Sequence, residues 1–212
     1  MKKLLILNAS PKKRKSQSER FTAELLRHLD EGSYDIDKVY LYELNYSKYL
    51  FEQIATSDIV ILATPLYIDC LPAKVLELFE DMEQFTKETF YETKPACYLI
   101  INCGFMEASQ NNTAIEIVGR FCQRVGYRLR QAVSIGSGAM ILETRQKSLV
   151  ERAMCQLART IEGREPLAEV ISLNVKMPKF LFMSRSNNLW IQVGKKRGLT
   201  KGELKEGYYK AP

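Results

Sequence analysis

Three short stretches of the chain contain residue types suited to binding an anion and a planar ring. SPKKRKSQS at 10–18 has three serines just before a helix-like pattern, and hydroxyls beside the free amides of a helix start can bind phosphate. TPLY at 64–67 and NCGF at 102–105 each supply an aromatic ring and backbone amides that can hold a ring system. Taken singly, each stretch also fits an ordinary structural role: a serine cap, a tyrosine covering the core, or a small packing cysteine.

Acid, base and thiol chemistry has few candidates elsewhere in the sequence. The single histidine, His28, has a position typical of a helix surface, so a Ser/His or Cys/His couple has little basis. Asp69 is the carboxylate nearest to TPLY, and a cap for the helix after Pro72 is the simpler interpretation of it. The cysteines lie at positions 70, 97, 103, 122 and 155. They are scattered and contain no CxxC pair, which favours reduced thiols over disulfides or a zinc site.

Length and composition indicate one ordinary globular domain with an appendage. A chain of 212 residues that is 46% hydrophobic and 26% charged can bury a real core and is not disordered. No run reaches the roughly 18 to 20 apolar residues of a membrane helix, so we expect a cytoplasmic protein with no membrane partner. The net charge of +6 favours an anionic ligand, and without nucleic-acid motifs we expect a small phosphate-bearing molecule and no nucleic acid.

Hydrophobic periodicity predicts alternating strands and helices. Five strands are expected at 3–8, 35–44, 58–65, 96–103 and 129–136. Helical patterns lie at about 16–29, 46–57, 72–85, 112–125 and 146–162. This alternation predicts an α/β fold with a doubly wound five-stranded parallel sheet of order 2-1-3-4-5, in which ligands bind beyond the carboxyl ends of the strands. The three stretches follow the first, third and fourth strands, at that edge.

The predicted domain covers residues 1–164, and residues 165–212 form a C-terminal extension. Its apolar residues fit a helix in the core, a subunit interface or a wall over the site, so the extension is expected to pack on the domain or on a partner subunit. The terminal GYYKAP at 207–212 has the composition of a loose arm.

Residues 1 to about 140 resemble the flavodoxin-like NAD(P)H-dependent FMN reductase and NAD(P)H quinone oxidoreductase family. The resemblance rests on ILNASP followed by SQS, then ATPLYIDCLPAKVLELFED, then INCGF. The middle segment is the most specific, because its TP-x-Y loop and the following helix start match in register. The chain departs from the family pattern at Lys12, where arginine is usual, at Gln17, where asparagine is usual, in a longer spacer, and in a short link before the third strand.

The resemblance implies an FMN site. Its cofactor-binding residues would be Ser10, Lys12, Ser16, Gln17 and Ser18 at the phosphate, Thr64, Pro65, Leu66 and Tyr67 at the isoalloxazine, and Cys103, Gly104 and Phe105 completing the pocket. Lys12 to Lys15 would form an exposed crest that adds positive potential and meets the phosphates of NAD(P)H.

The function that the resemblance implies is a ping-pong hydride transfer from NADH or NADPH, through FMN, to a small electron acceptor. The acceptor can be a quinone, a free flavin, an azo or nitro compound, or a ferric chelate, and no dedicated catalytic acid or base is required. A homodimer is expected, since partner residues often complete such pockets. Two alternatives remain open: a non-enzymatic electron carrier, disfavoured by the basic charge, and a flavin-free binding or regulatory module, suggested by the altered first loop.

Overall fold

The computed structural model describes residues 1–166 and 170–204, which contain six strands, six α-helices and several short 3-10 helices. The strands are β1 (Lys2–Asn8), β2 (Tyr34–Tyr40), β3 (Ile59–Pro65), β4 (Ala96–Asn102), β5 (Arg128–Ile135) and β6 (Val170–Leu173). The helices are α1 (Gln17–Leu26), α2 (Lys48–Thr56), α3 (Ala73–Glu88), α4 (Asn112–Arg124), α5 (Lys147–Ile161) and α6 (Lys179–Lys196). The chain divides into two compact units, Met1–Val175 and a second that begins at Lys176. The predicted arm at 207–212 lies outside the described residues.

The strands form one parallel sheet in the order β2-β1-β3-β4-β5-β6. The predicted order of the first five strands is confirmed, but the prediction of five strands is wrong, because β6 pairs with β5 at the sheet edge. Residues 170–173 read VISL, and four residues are too few for periodicity to identify a strand. The pairing continues past the end of β5, where the amide of Gly136 donates to the carbonyl of Leu173, the last residue of β6, at 2.8 Å.

Helices cover both faces of the sheet, as a nearly continuous apolar strand pattern requires. On one face, α2, α3 and α4 contribute apolar side chains to a single core with the strands, including Leu50, Val75 and Val118. The rings of Phe79 and Phe121 stack at 3.8 Å between centroids and join α3 to α4. On the other face α1 packs against α5. This double layer holds the carboxyl ends of β1, β3 and β4 in a rigid frame.

The buried amide of Gln131 has no hydrogen-bond partner for either its oxygen or its nitrogen among the described residues. Gln131 lies in β5 and is fully buried. Because an unpaired buried polar group costs about 1–3 kcal/mol, we expect Gln131→Met to raise the free energy of unfolding by a similar amount, measured by urea denaturation. Gln84→Met on the exposed side of α3 is the matched control and should change it by less than about 0.5 kcal/mol. Lower stability of Gln131→Met would show that this amide has partners in solution.

Candidate functional site

The loops after β1, β3 and β4 begin side by side at the carboxyl edge of the sheet. Asn8, the last residue of β1, pairs with Ala63 of β3, and Pro65 at the end of β3 pairs with Asn102 at the end of β4. The connection is direct, since the amide of Leu66 donates to the Asn102 carbonyl at 2.7 Å. The sheet therefore brings the three predicted stretches to one edge.

Asn8 fixes the shape of the first loop. Its Oδ1 accepts from the amide of Ser10 at 3.0 Å, and its Nδ2 donates to Ser16 Oγ at 3.4 Å and to a Glu19 carboxylate oxygen at 3.1 Å. Ser16 is the N-cap of α1, where its Oγ accepts from the amide of Glu19 at 3.0 Å. One asparagine at the end of β1 thus ties both ends of the loop to the start of α1.

Asn102 plays the corresponding part at the end of β4. Its Nδ2 donates to Ser18 Oγ at 3.3 Å and to the Thr64 carbonyl at 3.2 Å. Gly138 packs against this side chain so closely that a Cβ there would lie 2.6 Å from Asn102 Oδ1. Asn102 therefore links α1, β3 and the loop after β5 beneath the candidate site.

Three serine hydroxyls, in the first loop and the first turn of α1, keep their O–H donors available. Ser10 Oγ accepts from the amide of Lys12 at 3.3 Å, while Ser16 Oγ and Ser18 Oγ accept from the asparagines. A hydroxyl has one donor besides its two lone pairs, and within the described residues none of these three donates. All three residues are at most 3% exposed. The first-turn amides of Gln17 and Ser18 also lack intrahelical partners, so the loop fits an anion such as a phosphate.

Two of the four basic residues of the loop form ion pairs, and the other two do not within the described residues. Lys13 and Arg14 both pair with Glu43, and the Arg14 guanidinium lies 4.4 Å from the centroid of the Tyr40 ring. Lys12 and Lys15 are exposed, and no acidic partner is found for either among the described residues. These two lysines supply the unneutralised positive charge near the start of α1.

The loop after β3 is a tight turn with an exposed apolar tip. Tyr67 and Cys70 exchange backbone hydrogen bonds at 2.9 and 3.1 Å, and the two residues between them have positive φ, 48° at Ile68 and 58° at Asp69. Positive φ at both central positions is typical of a type I′ turn and is strained for a β-branched residue. Ile68 is 98% exposed and Tyr67 41% exposed. The cap interpretation of Asp69 is wrong, because no side chain caps α3.

The loop after β4 has a buried thiol behind an exposed ring. Cys103 Sγ contacts the carbonyls of Phe105 and Glu107 at 3.8 and 3.7 Å, and burial raises the pKa of this thiol. A thiol with a raised pKa stays protonated near neutral pH, which suits packing better than redox chemistry. Phe105 is half-exposed, and a Cβ on Gly104 would meet nothing within 4 Å. The space beside Gly104 is open.

The predicted site residues separate into an accessible group and a supporting group. Tyr67, Gly104 and Phe105 are exposed and Gln17 is half-buried, whereas Thr64, Leu66 and Cys103 lie beneath the surface. The roles of Asn8, Asn102 and Gly138 are not predicted from sequence. A signal for the two asparagines was present, since KLLILN and ACYLIIN are both buried strands that end in Asn.

Neither a protein-family model nor a curated protein sequence matches the chain. Among solved structures, the azoreductase from Bacillus anthracis str. Sterne has a TM-score of 0.60 at 12% identity, covering 78% of this chain and 100% of that one. The NAD(P)H:quinone oxidoreductase from Methanothermobacter marburgensis has a TM-score of 0.57 at 18% identity, covering 76% and 96%.

A third similar structure is RosB with bound 8-demethyl-8-formylriboflavin-5'-phosphate, with a TM-score of 0.57 at 15% identity, covering 77% of this chain and 81% of that one. Identities this low establish the fold alone, an α/β fold of flavodoxin-like type. Of the helices in the described ranges, none is long and apolar enough to cross a membrane, and no cluster of metal-ligating side chains occurs there.

Proposed function

We propose that the chain is an FMN-dependent oxidoreductase that transfers hydride from NADH or NADPH to a small acceptor in a ping-pong cycle. The observation that carries the proposal is the group of three buried serine hydroxyls, Ser10, Ser16 and Ser18, with unused O–H donors at the start of α1. Support comes from the fold, which this chain shares with azoreductases, a quinone oxidoreductase and a protein holding a riboflavin-5'-phosphate derivative.

The phosphate of FMN matches the donor set of the first loop. Three hydroxyls and two helix amides, those of Gln17 and Ser18, can donate to phosphate oxygens, and the α1 dipole adds positive potential there. Ser16 and Ser18 also belong to fixed networks with Asn8 and Asn102, so binding requires little ordering of these side chains. The donors are held in place by the same bonds that build the loop.

The flavin ring would lie against the exposed rings of Tyr67 and Phe105. Both side chains have an apolar face open to a ligand, and the free space at Gly104 allows a ring to approach the backbone closely. Bound FMN would supply the redox chemistry, accepting hydride from the nicotinamide and passing it to the acceptor. The residues Thr64, Leu66 and Cys103 support this wall from below.

No side-chain acid or base is needed for this chemistry. His28 contacts Glu24 at 3.3 Å. It follows the C-terminal end of α1, whereas the candidate site lies at the N-terminal end of this helix. Lys12 and Lys15 remain as exposed cations that can meet the phosphates of NADH or NADPH. The proposal also includes a homodimer in the cytoplasm, with a quinone, free flavin, azo or nitro compound, or ferric chelate as acceptor.

Reconstitution of the purified protein with FMN tests the proposal. We expect a yellow complex whose flavin absorbance is bleached by NADH or NADPH without oxygen and recovers when a quinone or azo dye is added. A complex that neither nucleotide bleaches would indicate the electron-carrier alternative. A protein that does not bind FMN at all would leave the flavin-free binding module.

A further inference from the structure

The net positive charge of the protein comes from its C-terminal unit. Residues 176–212 contain nine of the 31 Lys and Arg and two of the 25 Asp and Glu, which gives this segment a charge of +7. The remaining 22 basic and 23 acidic residues give residues 1–175 a charge of −1. A basic terminal segment on a nearly neutral domain indicates an anionic partner for that segment.

The same unit exposes a dense set of large apolar side chains. Its aromatic members are Phe180 at 74% and Trp190 at 72% exposure, both on α6. The aliphatic members, each 40% or more exposed, are Leu181, Met183, Leu189, Val193, Leu199 and Leu204. Together they are half of the exposed large apolar residues in the described chain. Scattered apolar residues need no explanation, but eight within 25 consecutive residues mark an interaction surface.

We propose that residues 176–204 bind the surface of an anionic lipid bilayer, with α6 lying in the interfacial region. Interfacial helices combine Lys and Arg with Trp, Phe and Leu, so that apolar side chains enter the acyl boundary while the charges meet lipid phosphates. Lys195 and Lys196 lie in the last turn of α6, with Arg197 at its C-cap and Lys179 at its start. Long basic side chains at both helix ends can extend toward the headgroups from a partly buried backbone.

The expectation of no membrane partner rests on the lack of a membrane-spanning run in the sequence. Binding at the bilayer surface does not require such a run. The helix contains Ser184, Ser186, Asn187 and Asn188 at its centre, which suit an interface and not a hydrocarbon core. The proposal does not depend on the redox function, because it concerns a different part of the chain and has its own readout.

Two other partners, a nucleic acid and a second copy of this unit, fit the observations less well. A nucleic acid would use the charges and could stack on Trp190 and Phe180, but it offers no apolar environment to the six aliphatic side chains. A second copy of this unit could cover the apolar residues, but the contact would bring two segments of charge +7 together. An anionic bilayer satisfies both the charge and the apolar surface.

Trp190 is the single tryptophan of the protein, so its fluorescence reports on α6 alone. We expect the full-length protein to float with phosphatidylglycerol vesicles and not with phosphatidylcholine vesicles, with a blue shift of the emission and quenching by brominated acyl chains. High salt should release the protein, because it screens the charges. Equal binding to both lipids, or binding without a blue shift, would contradict the proposal.

A charge variant with a matched control completes the test. Replacing Lys195, Lys196 and Arg197 with glutamine should weaken binding to phosphatidylglycerol vesicles by about 100-fold, because each basic residue near the surface contributes about fivefold in affinity. The control replaces three exposed lysines of the first unit with glutamine, namely Lys48, Lys87 and Lys147, and should bind as the parent does. Equal losses in both variants would overturn the proposal. It would also be overturned if dimerisation or duplex DNA shifted the Trp190 emission and vesicles did not.

Discussion

Replacing Ser16 and Ser18 together with alanine is expected to weaken FMN binding by about 10²- to 10⁴-fold. Each serine can donate one hydrogen bond to a charged phosphate, and such bonds contribute about 1.5–3 kcal/mol. Both hydroxyls lie at the start of α1 with their O–H donors unused. Titration of the folded variant with FMN, followed by flavin fluorescence, measures the effect.

Binding of riboflavin distinguishes loss of the phosphate contacts from damage to the fold, since riboflavin has the ring system of FMN without the phosphate. We expect the double variant to bind riboflavin as the parent does, so that the preference for FMN disappears. Loss of the α1 cap at Ser16 should also cost about 1 kcal/mol of stability. Ser47→Ala controls for capping, because Ser47 is an N-cap whose side chain makes no capping bond. Equal losses for both flavins, or unchanged FMN affinity, would remove these serines from the phosphate site.

The positions of the first five strands could be predicted from sequence because their evidence is local, and their order then follows from the rule for alternating strands and helices. Buried strands such as β1 and β3 are nearly continuous apolar runs, and each helix between the strands has an apolar face. Gly126 follows α4 with φ of 73°, the left-handed conformation that a glycine just after a helix predicts. β6 could not be identified, because a four-residue edge strand is specified by its pairing with β5 and not by its own pattern.

The candidate site was predictable in its location but not in its internal bonds. The three loops follow from the rule that ligands bind at the carboxyl ends of strands, and Ser16 as the cap of α1 follows from residue type. The pairing of Asn102 with Ser18 joins residues 84 positions apart, and only the folded sheet brings them together. The strained turn at Ile68 could not be predicted either, since β-branched residues rarely adopt positive φ.

Gly136→Ala is expected to lower the free energy of unfolding by about 3 kcal/mol or more, and the melting temperature by roughly 6–12 °C. Gly136 follows β5, and a Cβ there would overlap the Met106 carbonyl and lie 3.0 Å from the Ala108 amide nitrogen. Both neighbours are backbone groups, so the clash cannot be relieved by rotating a side chain. The loop after β4 would have to move away from β5, which also displaces Phe105, whose carbonyl accepts from the Ser137 amide.

Gly104→Ala is the matched control, because it makes the same substitution in the partner loop where a Cβ would meet nothing within 4 Å. Its free energy of unfolding should stay within about 1 kcal/mol of the parent, since no contact is broken. In the proposed site the added methyl group narrows the space beside Phe105, so FMN affinity should fall while stability does not. Thermal denaturation of the two variants, with flavin titration of Gly104→Ala, measures both effects. Similar melting temperatures for the two variants would contradict the close backbone contact at Gly136, and unchanged FMN affinity in Gly104→Ala would place the ring elsewhere.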